Sequence, residues 1–562
     1  MRRQCLDRLW HSRRLSSTWN PIAAAAAAAS SGGGGVVPVV PVVFETRQTT
    51  HAKSPWDISA RPFSSSRAHR RRSRAPQFQP RDLTPKKKKK KIFFQSLGCP
   101  RNFVDTEVML GMSVQSGLLE LTQEVEEADV LVVNTCGFLE SARDESQQVI
   151  QELVQTKKAG SHLLVTGCMV NLHKDQILQD FPGVDAILGS GAIDKVLDTL
   201  QQLEHQKHGG DQQRIVQSAH RRSFLERGDT PRFLATPPHY AYLKIAEGCK
   251  KQCSFCIIPK IKGRLQSKRI PQLVQEFQAI LEHGASEVIL IAQDLGDYGK
   301  DLKTNELPPS SSSSSSSSPT NLEQLLRALL DATDDPNLWI RLLYLYPDEI
   351  TPELIRVMES DSRICRYLDM PIQHSHNEML KLMRRKTTGE EIKATIQMLR
   401  ERIPGIHIRT SLMVGFPGET ESHFQHLLEF VQEYELDNVG VFTYSNEPLA
   451  YSSKLPHHVP DEVKEERYHR LMQAQLETVR RKNQRRVDQK ERIEVVIEGL
   501  QQQEEDSNAV IVGRYYGQCP DIDGQVLLDG NERVYAGARY WVEVTGFDEY
   551  DLIGRVVDGP VP

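Results

Sequence analysis

The residues best equipped for chemistry are Cys249, Cys253 and Cys256, spaced C-x3-C-x2-C in Gly248-Cys249-Lys250-Lys251-Gln252-Cys253-Ser254-Phe255-Cys256. Three thiolates can hold three irons of a four-iron cluster and leave the fourth iron open for a ligand. A short loop suits that task, because backbone amides of closely spaced residues can turn inward toward the sulfurs. Two plainer readings stand beside it. A disulfide knot is disfavoured in a chain of 562 residues with nine scattered cysteines. A structural zinc calls for a fourth Cys or His at matching spacing.

Elements must carry these residues to one place. The triplet follows a strand-like run, Tyr240 to Ile245. Three further cysteines end or follow apolar strands upstream. Ile92-Phe93-Phe94 reads as a strand, then a loop with Cys99, then a helix from Val104 to Gly117. Val130 to Cys136 reads as a buried strand with its cysteine at the carboxyl end, and Leu163 to Cys168 repeats that arrangement. Apolar strands alternating with helices predict a parallel sheet, whose ligand sites lie beyond the carboxyl ends of the strands. One cysteine at a strand end is more often a small buried hydrophobe. Three on the same edge point to a second cluster.

Between residues 235 and 460 six strand-then-helix units follow one another, with strands near Tyr240–Ile245, Glu287–Ile291, Trp339–Leu343, Tyr367–Met370, Ile406–Val414 and Asn438–Tyr444. Six units predict an open partial barrel with chemistry at the carboxyl ends of the strands. Polar residues and glycines sit at those ends: Gln293 and Asp294, Gln373, Gly415 and Glu419. Gln, Asp and Glu can bond an amino group and ribose hydroxyls, and Gly lets backbone approach a ligand closely. The serine tract Ser310–Ser318 falls in one connecting loop and reads as a flexible insertion.

A long charged helix is predicted over 461–490, its basic residues clustered in the carboxyl half, where the helix dipole favours them. Five short β-rich runs in 491–562 predict a small barrel. From Arg492 onward the chain holds 5 basic residues against 14 acidic ones, a balance of -9. Affinity for RNA comes largely from Lys and Arg on phosphates, so direct RNA binding by this barrel is not expected. An acidic barrel, with Asp521, Asp523 and Asp529 as a candidate cluster, would instead steer a basic protein.

The net charge of -4 conceals an asymmetry. Residues 1–91 carry 20 Lys and Arg against 4 Asp and Glu, and the remainder 50 against 70. An arginine- and serine-rich, acid-poor head is the composition of an organelle presequence. The neighbourhood Arg61-Pro62-Phe63-Ser64 favours a mitochondrion over a plastid. A cytoplasmic protein is the alternative if the head is not a presequence. No run approaches the roughly 20 apolar residues of a membrane span, so no membrane partner is expected.

The spacing C-x3-C-x2-C with Phe255 before the last cysteine resembles the signature of radical S-adenosylmethionine enzymes. Ser96-Leu97-Gly98-Cys99-Pro100, Asn134-Thr135-Cys136-Gly137-Phe138 and Thr166-Gly167-Cys168 resemble the amino-terminal domain of the methylthiotransferases within that group. The resemblance covers roughly residues 92–560. It implies an α/β fold class with three folded parts: an amino-terminal parallel-sheet α/β domain (92–202), a central partial (β/α)6 radical-SAM barrel (235–460) and a carboxyl-terminal small β-barrel (491–562, TRAM-like). A linker over 203–234 and a connecting helix over 461–490 join them.

The same resemblance implies two 4Fe-4S clusters. Cys249, Cys253 and Cys256 would hold the catalytic one, which binds S-adenosylmethionine and reduces it to a radical that takes hydrogen from an unactivated carbon. Cys99, Cys136 and Cys168 would hold an auxiliary cluster that supplies the sulfur, methylated by a second S-adenosylmethionine. Gln293, Asp294, Gln373, Gly415 and Glu419 would line the S-adenosylmethionine pocket. An electron donor and a sulfur source are implied as further partners.

Relatives divide by substrate. Cys136-Gly137-Phe138-Leu139-Glu140-Ser141-Ala142, Cys256-Ile257-Ile258-Pro259, Ala292-Gln293-Asp294 and Leu343-Tyr344-Leu345-Tyr346-Pro347 resemble the branch acting on the β-carbon of an aspartate in a small-subunit ribosomal protein. That basic protein is the expected substrate. A transfer-RNA adenosine is the alternative, and a non-catalytic iron-sulfur protein for redox sensing or ribosome binding is a third reading.

Overall fold

The computed structural model describes residues 89–206, 214–217, 230–302, 320–502, 509–530 and 532–561. The basic head up to residue 88, much of the linker over 203–234 and the serine tract lie outside the described residues. The described chain forms two compact units that divide between residues 236 and 237.

The first unit is a six-stranded sheet in the order β2-β1-β3-β4-β5-β6, every pair parallel. Its strands are β1 (Lys90–Ser96), β2 (Leu119–Leu121), β3 (Val130–Thr135), β4 (His162–Gly167), β5 (Ala186–Gly189) and β6 (Ile215–Gln217). Helices α1 (Pro100–Gln115), α2 (Glu140–Thr156), α3 (Cys168–Asp180) and α4 (Val196–Gln206) connect them. Successive residues of a strand face opposite ways. Ile92, Phe94, Val130, Val132 and Leu164 accordingly feed one core, and Phe93, Leu131, Val133, Leu163 and Val165 the other. A sheet covered on both faces needs continuous apolar strands, which is why β3 and β4 read as unbroken hydrophobic runs.

Residues 230–236 close this unit against α1. The buried Glu107 accepts from Arg232 Nη2 at 2.6 Å and from the Ala235 amide at 2.8 Å.

In the second unit, β7 (Tyr240–Lys244), β10 (Glu287–Ile291), β11 (Trp339–Leu342), β12 (Ile364–Asp369), β13 (His407–Val414) and β14 (Asn438–Thr443) form an open sheet in the order β14-β13-β12-β11-β10-β7. All pairs are parallel. This is the partial (β/α)6 barrel. Its helices are α5 (Ile258–Lys262), α6 (Ile270–Glu282), α7 (Leu322–Leu330), α8 (Pro352–Ser360), α9 (Asn377–Leu382), α10 (Gly389–Arg402) and α11 (Glu421–Tyr434). A two-stranded ribbon, β8 (Ala246–Glu247) with β9 (Gln266–Ser267), lies between β7 and α6.

The 28-residue helix α12 (Asp461–Asp488) then leads to a closed barrel of β15 (Arg492–Gln502), β16 (Ala509–Tyr515), β17 (Val526–Asp529), β18 (Arg539–Asp548) and β19 (Asp551–Asp558). The basic residues late in α12 are held by acids of the same unit: Arg481 and Arg485 by Glu435, and Lys482 by Asp437.

The small barrel presents the loop between β16 and β17 to the amino-terminal ends of the large sheet. Tyr367 donates to Asp523 Oδ2 at 2.7 Å, and Arg409 lies 3.4 Å from Asp523 Oδ1. Tyr240 and Tyr242 both donate to Asp521 Oδ2 at 3.5 Å. Asp523 therefore belongs to an internal joint rather than to a solvent-facing acidic cluster, while Asp521 borders that joint and stays exposed. Sequence reasoning counted their charges without seeing the tyrosines and arginine they meet.

Candidate active site

The radical triplet lies on a loop pinned at both ends. Gly248, at φ +77°, opens it, and a Cβ there would come within 2.1 Å of the Arg264 carbonyl oxygen. Only glycine fits that crossing. The Cys249 amide then donates to the Gly263 carbonyl at 3.3 Å, and the β8–β9 ribbon clasps the ends together. Inside the loop the Lys251 amide donates to Cys249 Sγ at 3.3 Å and the Ile258 amide to Cys256 Sγ at 3.4 Å. Ser254 ties the tip to the segment after α9, its amide donating to the Met383 carbonyl at 3.1 Å and its hydroxyl to the Leu382 carbonyl at 2.7 Å.

Cys253 is buried, while Cys249 and Cys256 are half-buried. Arg385 Nη1 donates to Cys253 Sγ at 3.7 Å, and the Tyr346 hydroxyl lies 3.5 Å from the same sulfur. Burial pushes the Cys249 thiol up to about 11, opposed by the Lys251 amide, so a metal must displace a proton to bind it. Three sulfurs facing N–H, O–H and guanidinium donors are a donor set suited to an iron-sulfur cluster.

Lys251 anchors the loop to the strand ends. Its ammonium lies 2.5 Å from Glu349, 3.3 Å from Asp348, 3.4 Å from Asp294 and 3.9 Å from Asp297. Burial works against its charge, but Asp294, Glu349, Asp297 and Asp348 together raise it above the ordinary ammonium range. Burial lifts the Asp294 carboxyl to about 7; Lys251 opposes the rise, and Asp297 and Glu349 add to it. Lys300 also pairs with Asp297 and Glu349, so the acids are already met by two lysines.

The five expected pocket residues all fall at carboxyl ends of the sheet, in different circumstances. Gln293 Nε2 donates to the buried Glu247 at 2.5 Å, while its Oε1 is buried without a donor. That orphaned acceptor fits a ligand carrying an ammonium or hydroxyl group. Asp294 is committed to Lys251 and to the Gly296 amide at 3.1 Å. Gln373 sits at φ +71°, its amide donating to Ser411 and its carbonyl accepting from Met413. Glu419 turns back on its own loop: Oε2 accepts from the Gly415 amide at 2.8 Å, and Oε1 pairs with Arg467 of α12 at 2.9 Å. Glu419 thus holds the Gly415 turn in place. Sequence reasoning passed over Lys251, Glu247 and Arg385 as site residues and used Tyr346 only as part of a motif. For Lys251, Glu247 and Tyr346 the signal present was position, in the cysteine loop, on its ribbon or just after a strand; Arg385 follows helix α9 and carried none.

In the first unit, Cys99 caps α1 directly after β1, Cys136 follows β3 and Cys168 opens α3 after β4. Because β1, β3 and β4 are neighbours, the three cysteines share one short stretch of the sheet's carboxyl edge. The loops are closely packed. A Cβ on Gly98, at φ +86°, would lie 2.8 Å from Cys136 Cβ and 3.0 Å from its Sγ. Asn102 Nδ2 donates to the Leu97 carbonyl at 2.7 Å, and Asn134 Nδ2 returns a bond to the Asn102 carbonyl at 2.7 Å. Ser146 of α2 bonds both the amide and the carbonyl of Cys136 at 3.1 Å. Cys99 and Cys136 are half-buried and Cys168 is buried, so this edge carries three free thiols.

Comparison with known proteins agrees with this geometry. Residues 91–189 match the family described as Uncharacterized protein family UPF0004, residues 243–431 the Radical SAM superfamily, and residues 491–557 the TRAM domain. The cysteine loop at the carboxyl end of an open parallel sheet, with these matches, defines a radical S-adenosylmethionine enzyme, which implies a 4Fe-4S cluster and S-adenosylmethionine.

The chain is 50% identical over 468 residues to the ribosomal protein uS12 methylthiotransferase RimO of Protochlamydia amoebophila, spanning 83% of this chain and 92% of that one. It is 45% identical over 470 residues to the protein of the same name from Chlamydia felis, spanning 84% and 96%. The chain belongs to the RimO family of radical S-adenosylmethionine methylthiotransferases. Among solved structures, TsrM of Kitasatospora setae, a radical S-adenosylmethionine methyltransferase, aligns with a TM-score of 0.45 at 14% identity, covering 63% of this chain and 72% of that one.

Proposed function

We propose that this enzyme inserts a methylthio group at the β-carbon of an aspartate in a small-subunit ribosomal protein of the uS12 kind. The observation that carries the reading is the pair of cysteine triplets, each at the carboxyl edge of its own parallel sheet. Cys249, Cys253 and Cys256 would hold the cluster that binds S-adenosylmethionine, and Cys99, Cys136 and Cys168 would hold a second cluster supplying the sulfur chemistry. When bound, the first cluster and S-adenosylmethionine together supply the one-electron chemistry that breaks an unactivated C–H bond, which no side chain can perform.

The chain's own residues prepare that site. The Gly248 crossing and the β8–β9 ribbon fix the three sulfurs, which would hold the cluster that S-adenosylmethionine binds. Gln293 offers its unmatched acceptor to the bound S-adenosylmethionine, and Glu419 holds the Gly415 turn beside it. Residues 1–91 direct the protein to an organelle, the mitochondrion in preference to the plastid.

The test is an anaerobic reaction of the reconstituted enzyme with reductant, S-adenosylmethionine and purified ribosomal small-subunit proteins, followed by mass spectrometry. The expected result is one methylthio-aspartate on the uS12-type protein, with formation of 5′-deoxyadenosine. Modification of transfer RNA instead, or 5′-deoxyadenosine with no modified protein, overturns it.

A further inference from the structure

The three thiols of the radical loop do not have equivalent surroundings. Cys249 and Cys256 each accept an amide from within two residues of themselves. Cys253 meets two groups from distant segments: the Arg385 guanidinium at 3.7 Å and the Tyr346 hydroxyl at 3.5 Å. Arg385 stacks on the Tyr346 ring at 3.9 Å from its centroid, and its Nη2 donates to the Pro371 carbonyl at 2.6 Å. Three contacts thus fix one planar cation against one sulfur. The nearby Lys251 ammonium is surrounded by four carboxylates. Arg385 is not so neutralised: among the described residues its contacts are a sulfur, a phenol and a carbonyl.

We propose that Arg385, oriented by Tyr346, is a positioning residue that sets the reduction potential of the cluster held by Cys249, Cys253 and Cys256. A fixed positive charge beside a ligand sulfur stabilises the more negative, reduced state of the cluster and raises its potential. Tyr346 adds a hydrogen bond to the same sulfur and holds the guanidinium plane. The Lys251 ammonium also lies 5.1 Å from the Tyr346 ring centroid, but it is met by carboxylates and, on a flexible stem, does not donate along a fixed fork as a guanidinium does. The inference rests on the loop carrying a four-iron cluster.

The test uses the full chain with Cys99, Cys136 and Cys168 replaced by Ala, so that one cluster reports. Iron is counted first, then the midpoint potential is measured by electron paramagnetic resonance during anaerobic titration. Absence of iron in this parent fails the cluster reading itself. In an iron-loaded parent, Arg385→Gln is expected to lower the reduced-to-oxidised ratio at a fixed applied potential by about tenfold, a shift of about 59 mV for one electron. Tyr346→Phe, which keeps the ring, is expected to lower it by a smaller factor. An unchanged midpoint in an iron-loaded Arg385→Gln variant overturns the proposal. If Arg385→Gln loses its iron, Arg385→Lys decides: a loaded variant whose reduced-to-oxidised ratio falls by less than tenfold supports the proposal, and a loaded variant with an unchanged ratio, or one lowered tenfold or more, overturns it. Loss of iron from the lysine variant as well assigns Arg385 to packing and overturns the proposal.

Discussion

Glu287 and Arg514 stand 227 residues apart in sequence and meet at 2.9 Å, almost without access to solvent. Glu287 is the first residue of β10; Arg514 lies near the end of β16. Glu287 also receives Arg341 of β11 at 2.6 Å, and Arg514 continues to Glu498 of β15 at 2.5 Å. One carboxylate therefore joins two strands of the large sheet to the small barrel. Burial raises the energy of its charge, but Arg341 and Arg514 outweigh that and hold it below the usual carboxylate range.

Removing that charge takes the acid partner from the buried Arg341 and leaves Arg514 with Glu498 alone. Glu287→Gln is expected to cost about 3–5 kcal/mol, the usual penalty for breaking a buried ion pair from one side. Equilibrium urea denaturation of the full chain measures it. A loss near zero would show that the pair contributes nothing to joining the two barrels.

His407 makes the same joint sensitive to acid. Burial lowers its imidazole to about 4; Asp437 opposes this, and Arg486 and Lys482 reinforce it. Arg486 Nη2 donates to His407 Nε2 at 3.3 Å, which requires that nitrogen to be unprotonated. The unfolded chain binds the proton near pH 6.5 and the folded chain near 4, so stability falls as pH drops through that window. The full shift corresponds to about 3 kcal/mol. Melting temperature against pH should slope downward below pH 6.5, and His407→Asn should flatten the slope.

Iron counting separates the two triplets. Full reconstitution is expected to give about eight irons per chain, and Ala at Cys249, Cys253 and Cys256 about four. The mirror variant at Cys99, Cys136 and Cys168 should also keep about four while still forming 5′-deoxyadenosine. Loss of all iron from either variant would refute independent sites.

Gly248→Ala should mimic the first triple variant without touching a cysteine. The left-handed backbone costs an alanine about 1–2 kcal/mol, and the methyl would collide with the Arg264 carbonyl. Chemical assay should find about half the iron retained, with far-ultraviolet circular dichroism unchanged. Full loading would show that the loop tolerates another path.

Fusion of residues 1–91 to a fluorescent protein is expected to label mitochondria, and amino-terminal sequencing of the mature enzyme should begin near residues 80–91. A mature protein starting at Met1 counts against a presequence.

Period and punctuation made the layout legible before any coordinates. Glu287–Ile291 has the bounds read from sequence, because an apolar run and its polar breaks mark it locally. The strand-end positions of the six cysteines were legible for the same reason, since strand ends and short spacings are local features. Arg385 was not found. It follows a six-residue helix in a charged stretch, and only the folded sheet brings it 132 positions back to Cys253. Asp523 was misjudged for the complementary reason: a count of charges does not reveal which of them already has a buried partner. Glu419 proved to be bound by Arg467 from a helix that begins forty residues later, in a pairing no local pattern announces.

The placement of the loop between β16 and β17 has a practical meaning for anyone who would cut this chain into modules. The TRAM match begins at residue 491, which invites a truncation there. Such a cut would bare Arg341, Tyr367 and Arg409, polar side chains whose partners come in part from residues beyond it. The small barrel is thus the floor of the large one, and exchanging it for a relative's would mean transplanting Tyr516, Asp521 and Asp523 together with the surface they fit. A region that family boundaries mark as an accessory is, for folding, an inseparable half of the catalytic unit.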